Sequence, residues 1–150
     1  MISVGGHTDL EQKERFDRVD DAVCAVRAAL ADGIVAGGGV TLNGFRAEID
    51  TGDTLVDEMA AEVMGVALGE PARQILMNSG MTERQASDIT KDMSDTEGMN
   101  VKTGQYGDMV EMGVIDPAKV TKTALRSAVS VANTILSTNA IVTMARSAGS

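Results

Sequence analysis

The stretch RVDDAVCAVRAALADGIVAGGGVTL, Arg18 to Leu42, joins a helix-forming run to a glycine, a short apolar segment and three consecutive glycines. The helical signal begins upstream. Thr8 with Glu11 three residues on forms a capping box, and Asp9 suits the positive end of a helix dipole. The helix is predicted to end at Asp32, because Gly33 supplies a C-terminal stop. At about 100° per residue, Val19, Val23, Val26 and Leu30 form one stripe with Phe16 at its edge, which predicts a buried face. On the far side lie Asp21, Cys24, Ala25 and Ala28, a small face that a neighbour can approach closely. A helix of ~24 residues is ~36 Å long and must pack against something beyond its own sequence neighbours.

Glycine is entropically costly to order and easy to bend, so Gly37, Gly38 and Gly39 together mark a backbone with a special task. Two readings stand. Their amides, placed before a helix start, meet an anion; or they form a tight turn between packed elements. No Gly-Lys-Ser/Thr follows and the spacing is not GxGxxG, so neither nucleotide fingerprint is present.

The chain has 150 residues, the size of one domain, and a formal charge of −9. That charge argues against nucleic acid, whose binders need a basic face. Phe16, Phe45 and Tyr106 are the full aromatic set, which leaves little for stacking bases. No apolar run reaches the ~20 residues of a membrane span, and no membrane partner is expected. The single cysteine, Cys24, rules out an internal disulfide, fits a reducing cytoplasm and reads as a small buried hydrophobe rather than a nucleophile. His7 has no second His or Cys to share a metal with, so no metal site is expected. Ten methionines and many alanines predict a helical core with adaptable packing.

Beyond the glycines, VTLNGFRAEI predicts a short helix weakened by Gly44. Asp53 to Gly69 predicts another, with Asp53 as N-cap and Gly69 as stop. Pro71 at a first helical position opens a further helix that Gly80 ends, and Thr82 caps the next. The segment SDTEGMNVKTGQYGDM reads as a loop or hairpin. A last helix follows, with Asp116 as N-cap, Pro117 at the first position, and Val120, Ala124, Ala128, Val131 and Ile135 on one face. AIVTM near the end and MISVGG at the start both suggest strand. The class is mainly α with a few short strands: a long N-terminal helical arm followed by a compact bundle.

Several polar residues admit a chemical role beside a structural one. Asp21 is either a general base that orients water near a phosphate or a solvated carboxylate beside Asp17 and Asp20. Asp116 is explained fully by N-capping, and a partly exposed carboxylate at that loop could also accept ribose hydroxyls. Asn100 either reads a base edge or holds a turn.

Taken together, RVDDAVCAVRAALADGIVAGGGVTL, EPARQILMNSG and QYGDMVEMGVIDPAKVTKTALRSAVSVANTIL resemble, in order and spacing, the C-terminal part of a group I chaperonin of the GroEL family. The resemblance implies a helical bundle of the chaperonin equatorial-domain type. Residues 1–32 would be an intermediate-domain segment and 33–150 the C-terminal half of the equatorial ATP-binding domain. It implies ATP as cofactor, with magnesium and potassium, and hydrolysis that drives protein folding within a double ring. Asp21 then matches the hydrolytic carboxylate. Gly37 and Gly38 match the glycines near the ribose, Asn100 and Val101 the adenine positions, and Asp116 the ribose carboxylate. Lys102 stands where many members have alanine.

The family's Asp-Gly-Thr-Thr-Thr phosphate loop, its magnesium-binding aspartate and its substrate-gripping apical domain have no counterpart in this sequence, and ARSAGS replaces the usual Gly-Gly-Met tail. The expectation is a fragment, inactive alone, whose partners are other chaperonin subunits or itself. Unfolded clients would be reached only through the missing domains. The alternative is a stand-alone, non-enzymatic module that self-associates or joins chaperonin subunits.

Overall fold

In a computed structural model, residues 2–140 are described; the expected strand AIVTM falls outside them except for Ala140. Helix α1 spans Asp9–Asp32. Gly33 stops it in the left-handed region at φ +83°, its N–H donating to the Ala29 carbonyl. The start differs in one detail from a reciprocal capping box. The Glu11 amide donates to Thr8 Oγ1 at 3.2 Å, but the Glu11 carboxylate accepts from the amide of His7, one residue early. Residues 2–6 form no strand.

Strand β1, Ile34–Ala36, leads into the glycine turn, and α2 occupies Val40–Gly44 before tightening to a 3-10 turn over Phe45–Glu48. Helix α3 is one helix, Leu55–Asn78, where the sequence reading had two. Its N-cap is Thr54, in a full capping box with Asp57, and not Asp53. Gly69 does not end it. A Cβ there would lie 3.0 Å from the Arg46 guanidinium, so this glycine provides space for a neighbour rather than a bend. Pro71 lies inside the helix with its side chain exposed, at the cost of one helical hydrogen bond. Helix α4, Glu83–Asp92, is capped by Thr82 and Gln85.

The expected hairpin is β2, Glu97–Asn100, against β3, Gln105–Asp108, antiparallel with Gly98 opposite Gly107. Strand β4, Ile115–Pro117, pairs antiparallel with β1, setting Asp116 opposite Val35. Asp116 therefore belongs to a strand and makes no cap for α5, Ala118–Leu136, whose N-cap is Pro117 without a side-chain bond. The sequence reading missed β1 and β4 because each is three residues long and acquires its meaning from the other.

The core is the expected methionine-containing one. Ala36, Val40, Ala72, Leu76, Ala86, Met93 and Met109 are buried together, and Met77, Met81, Met99 and Met112 pack around them. The polar Asn43 is buried there because its amide donates to the Thr90 carbonyl at 2.9 Å, which satisfies the desolvated group. The two expected long apolar stripes are not buried. No residue of α1 is buried, and Phe16, Val26 and Leu30 are exposed. In α5, Val120, Val131 and Ile135 are exposed as well. Helix α1 instead packs along α5 and β4, with the small residues Ala25, Ala28 and Ala29 half-buried. Cys24 is exposed, not buried. Periodicity reported correctly that these faces are apolar; what covers them is not among the described residues.

Candidate functional site

The Gly37–Gly39 turn is a packed corner. The Gly37 amide donates to the Val114 carbonyl at 2.9 Å. Gly38 and Gly39 have φ of +70° and +78°, a region that side-chain-bearing residues rarely enter. Space also demands glycine here. A Cβ on Gly37 would meet the Val114–Ile115 backbone at 3.1 Å, and one on Gly39 would come within 2.6 Å of the Ala72 nitrogen. The tight-turn reading thus has a complete geometric basis, and it leaves a ligand role open beside it.

Across the β1–β4 ladder, Asp116 sits next to this turn, since Ala36 pairs with Ile115 and Gly37 follows directly. Asp116 is exposed by area, yet the surrounding protein desolvates its carboxyl and raises its pKa above the usual aspartate value. No hydrogen bond compensates the carboxylate in that raising. Such a group is readily used as an acceptor.

Asn100 ends β2, half-buried, and its side-chain oxygen accepts the Lys102 amide at 3.1 Å, so it does hold the hairpin turn. Val101 follows in that turn, exposed. The base of the hairpin is fastened to the glycine turn. Met109 N–H donates to Thr96 O, Val114 N–H to Met109 O, and Gly37 N–H to Val114 O, at 2.8–2.9 Å each. Asp108 braces the same connection by accepting from the amides of Val110 and Glu111 at 2.8 and 2.9 Å. The Glu111 amide above all, with the Thr96 hydroxyl and the Val110 amide, holds its carboxyl below the usual range.

Asp21 stands apart. It is exposed on α1, about 16 Å of helix axis before the helix's end, and the fold does not bring it to the glycine turn. The structure therefore gathers Gly37, Gly38 and Asp116, ties the strand carrying Asn100 to them, and leaves Asp21 on a separate element.

Three clefts lie elsewhere. One of about 870 Å³ is lined by Arg46, Glu70, Arg73, Glu83 and Lys91. There Glu70, by hydrogen bonding, raises the pKa of Arg73. A second, of about 860 Å³, adjoins it along Arg46, Val66, Thr90 and Lys91. A third, of about 600 Å³, is a groove between α1 and α5 lined by Cys24, Arg27, Ala28, Lys119, Val120 and Ala124. None includes Gly37, Asn100 or Asp116. Open surface grooves of this kind need no ligand.

Residues missed from the sequence are Gly98, Met109 and Val114, which make the seam between hairpin and turn. A signal existed at Gly98: an isolated glycine inside a strand marks close approach of another chain segment.

Comparison with known proteins agrees with this architecture. A group III chaperonin, whose crystal structure is in the open state, superposes over 93% of this chain with a TM-score of 0.77 at 25% identity. The chain spans 30% of the length of that chaperonin chain. The described helices include none long and apolar enough to cross a membrane. The sequence matches the TCP-1/cpn60 chaperonin family over residues 1–146, nearly its whole length, and the chain belongs to that family.

Proposed function

We propose that this chain is the nucleotide-holding C-terminal portion of a group I type chaperonin subunit. Residues 1–32 form its intermediate-domain segment and residues 33–150 the second half of its equatorial domain. The observation that carries the reading is the adjacency of Gly37, Gly38 and Asp116 across the β1–β4 pair, in a chain of this family. In this reading the glycine turn lines one side of the ribose, Asp116 accepts the ribose hydroxyls, and Asn100 and Val101 face the adenine. Asp21 is the hydrolytic carboxylate, delivered to the phosphates by movement of α1. Its remoteness from the turn fits a group that acts only when the arm swings. ATP is the cofactor, with magnesium and potassium supplied through residues that this sequence does not contain. Other chaperonin subunits are the partners, clients are folded through domains beyond this chain, and the compartment is the cytoplasm.

One wall of a nucleotide site binds weakly and catalyses nothing without the phosphate-binding wall. Titration of the purified chain with Mg-ATP, followed by amide shifts, is expected to move Gly38, Val101 and Asp116 at millimolar ligand with no phosphate release. Absence of saturable shifts would overturn the nucleotide assignment. Robust hydrolysis abolished by Asp21→Asn would overturn the single-chain inactivity.

A second reading, a non-enzymatic assembly module, is favoured by the uncovered apolar faces. Leu30 is 83% exposed and Leu55, Val56 and Val63 between 68 and 73%. Association measured by light scattering with and without ATP separates the two. Assembly indifferent to nucleotide, with no binding at Gly38 or Asp116, supports the module.

A further inference from the structure

The hairpin and the glycine turn meet along a seam with almost no spare room. Gly98, in the middle of β2, is buried, and a Cβ built on it would fall 2.3 Å from Val40 Cγ2 and 3.5 Å from Met109 Cγ. Val40 is fully buried and begins the helix that the glycine turn feeds. Met109 is also buried, and its Cε lies 2.9 Å from where a Cβ on Gly38 would be, so one side chain touches both loops. Beneath this packing runs the backbone relay Thr96–Met109–Val114–Gly37. The packed interior is stiff, so a displacement at Gly98 is passed on rather than absorbed. Asn100 lies two residues along the same strand, on the same side of the pleat as Gly98.

We propose that Gly98, through its contact with Val40, is a positioning residue that sets the spacing between the hairpin bearing Asn100 and Val101 and the turn bearing Gly37 and Gly38. This rests on the nucleotide reading above and names a residue of that site which touches no ligand. The adenine end and the ribose end of one nucleotide are a fixed distance apart. A site that holds both must therefore hold its two loops at a fixed separation. The missing side chain at Gly98 is what lets β2 lie against Val40.

The test uses the whole chain in four forms: wild type, Gly98→Ala, Val40→Ala and the double variant. Two measurements are made on each. Amide hydrogen exchange at Gly37, whose N–H is held by Val114, reports the seam. Mg-ATP titration followed at Val101 and Asp116 reports the site. A cooperative thermal melt checks that each form is folded.

In Gly98→Ala the methyl group pushes against Val40, so Gly37 is expected to exchange faster and ATP to bind about tenfold more weakly, less than the ~10²-fold that a ~1 Å misplacement can cost in rate. The double variant restores both, because Val40→Ala removes the atom that the new methyl meets. Joint rescue of exchange and affinity ties both to the Gly98–Val40 contact, since contacting residues couple rather than add, and an unchanged melting midpoint in Gly98→Ala separates a positioning role from general destabilisation. Faster exchange with unchanged affinity overturns the proposal while leaving the nucleotide reading in place. So does a double variant that binds no better than Gly98→Ala. If wild type shows no saturable ATP binding, the nucleotide reading itself fails and the proposal falls with it. Should Gly98→Ala not fold alone, the double variant against Val40→Ala still decides: equal affinity supports the proposal, and a tenfold loss overturns it.

Discussion

Two aspartates eight residues apart are driven in opposite directions by their surroundings. Asp108 accepts backbone amides, which stabilise its charge, whereas Asp116 is desolvated without compensation. Because the folded Asp108 carboxyl releases its proton more readily than the unfolded one, it stabilises the fold above the ordinary aspartate pKa. That contribution is lost as pH falls through its lowered folded value. Asp108→Asn is therefore expected to lower the thermal midpoint at pH 7, with the difference from wild type shrinking below about pH 4. For Asp116 the sign reverses. Its folded form holds the proton more tightly, so ionisation weighs against the fold above the raised pKa and is relieved as pH drops through it. Asp116→Asn is expected to raise the midpoint at pH 7 and to make no difference in acid. A parallel pH series of melting curves checks both. A carboxylate retained where it disfavours folding is what a ligand-facing residue looks like. A midpoint that falls at pH 7 in Asp116→Asn would remove that argument.

Elements with local signals were legible in the sequence. Thr8 and Gly33 bounded α1, Thr82 opened α4, and the Gly-rich segment ending at Met109, readable as loop or hairpin, is a hairpin. Elements defined by distant partners were not. β1 and β4 are short, and Pro117 suggested a helix start one residue too early because nothing in IDPA announces that Ile34 lies opposite. Gly69 and Gly33 look alike in sequence, yet one gives room to Arg46 and the other reverses the chain. The proposed site could be named as a residue set only through the family resemblance, and the seam at Gly98 could not be named at all, since a void is visible only against what fills it. Pro71 supplies a test at this scale. It interrupts α3 without ending it, and its ring is exposed, so Pro71→Ala is expected to stabilise the chain by about 1–3 kcal/mol in urea unfolding. Destabilisation instead would mean that the proline bends α3 to let Gly39 reach Ala72.

At the scale of the molecule, half the apolar pattern is satisfied and half is bare. The inner end of α3 is buried while its outer end shows Leu55, Val56, Met59 and Val63. Exposed patches of that extent bind a hydrophobic dye and promote association. Val26→Glu with Leu30→Glu is expected to reduce both dye fluorescence and scattering without lowering the thermal midpoint, since neither side chain contributes to the core. The β1–β4 pair carries a further consequence, for the order of folding. It joins segments about eighty residues apart, and closing a loop of that length costs about 4 kcal/mol of chain entropy. Three paired residues, at about 1 kcal/mol per hydrogen bond, do not meet that cost alone. The pair must therefore wait until the helices and the hairpin between its strands have already drawn Ala36 and Ala118 together. It is expected to close late on folding and to open early on unfolding, while α1 keeps its packing along α5. The junction at Gly33 is then expected to open before the core does, and faster amide exchange at Ala36 than at Leu76 checks this.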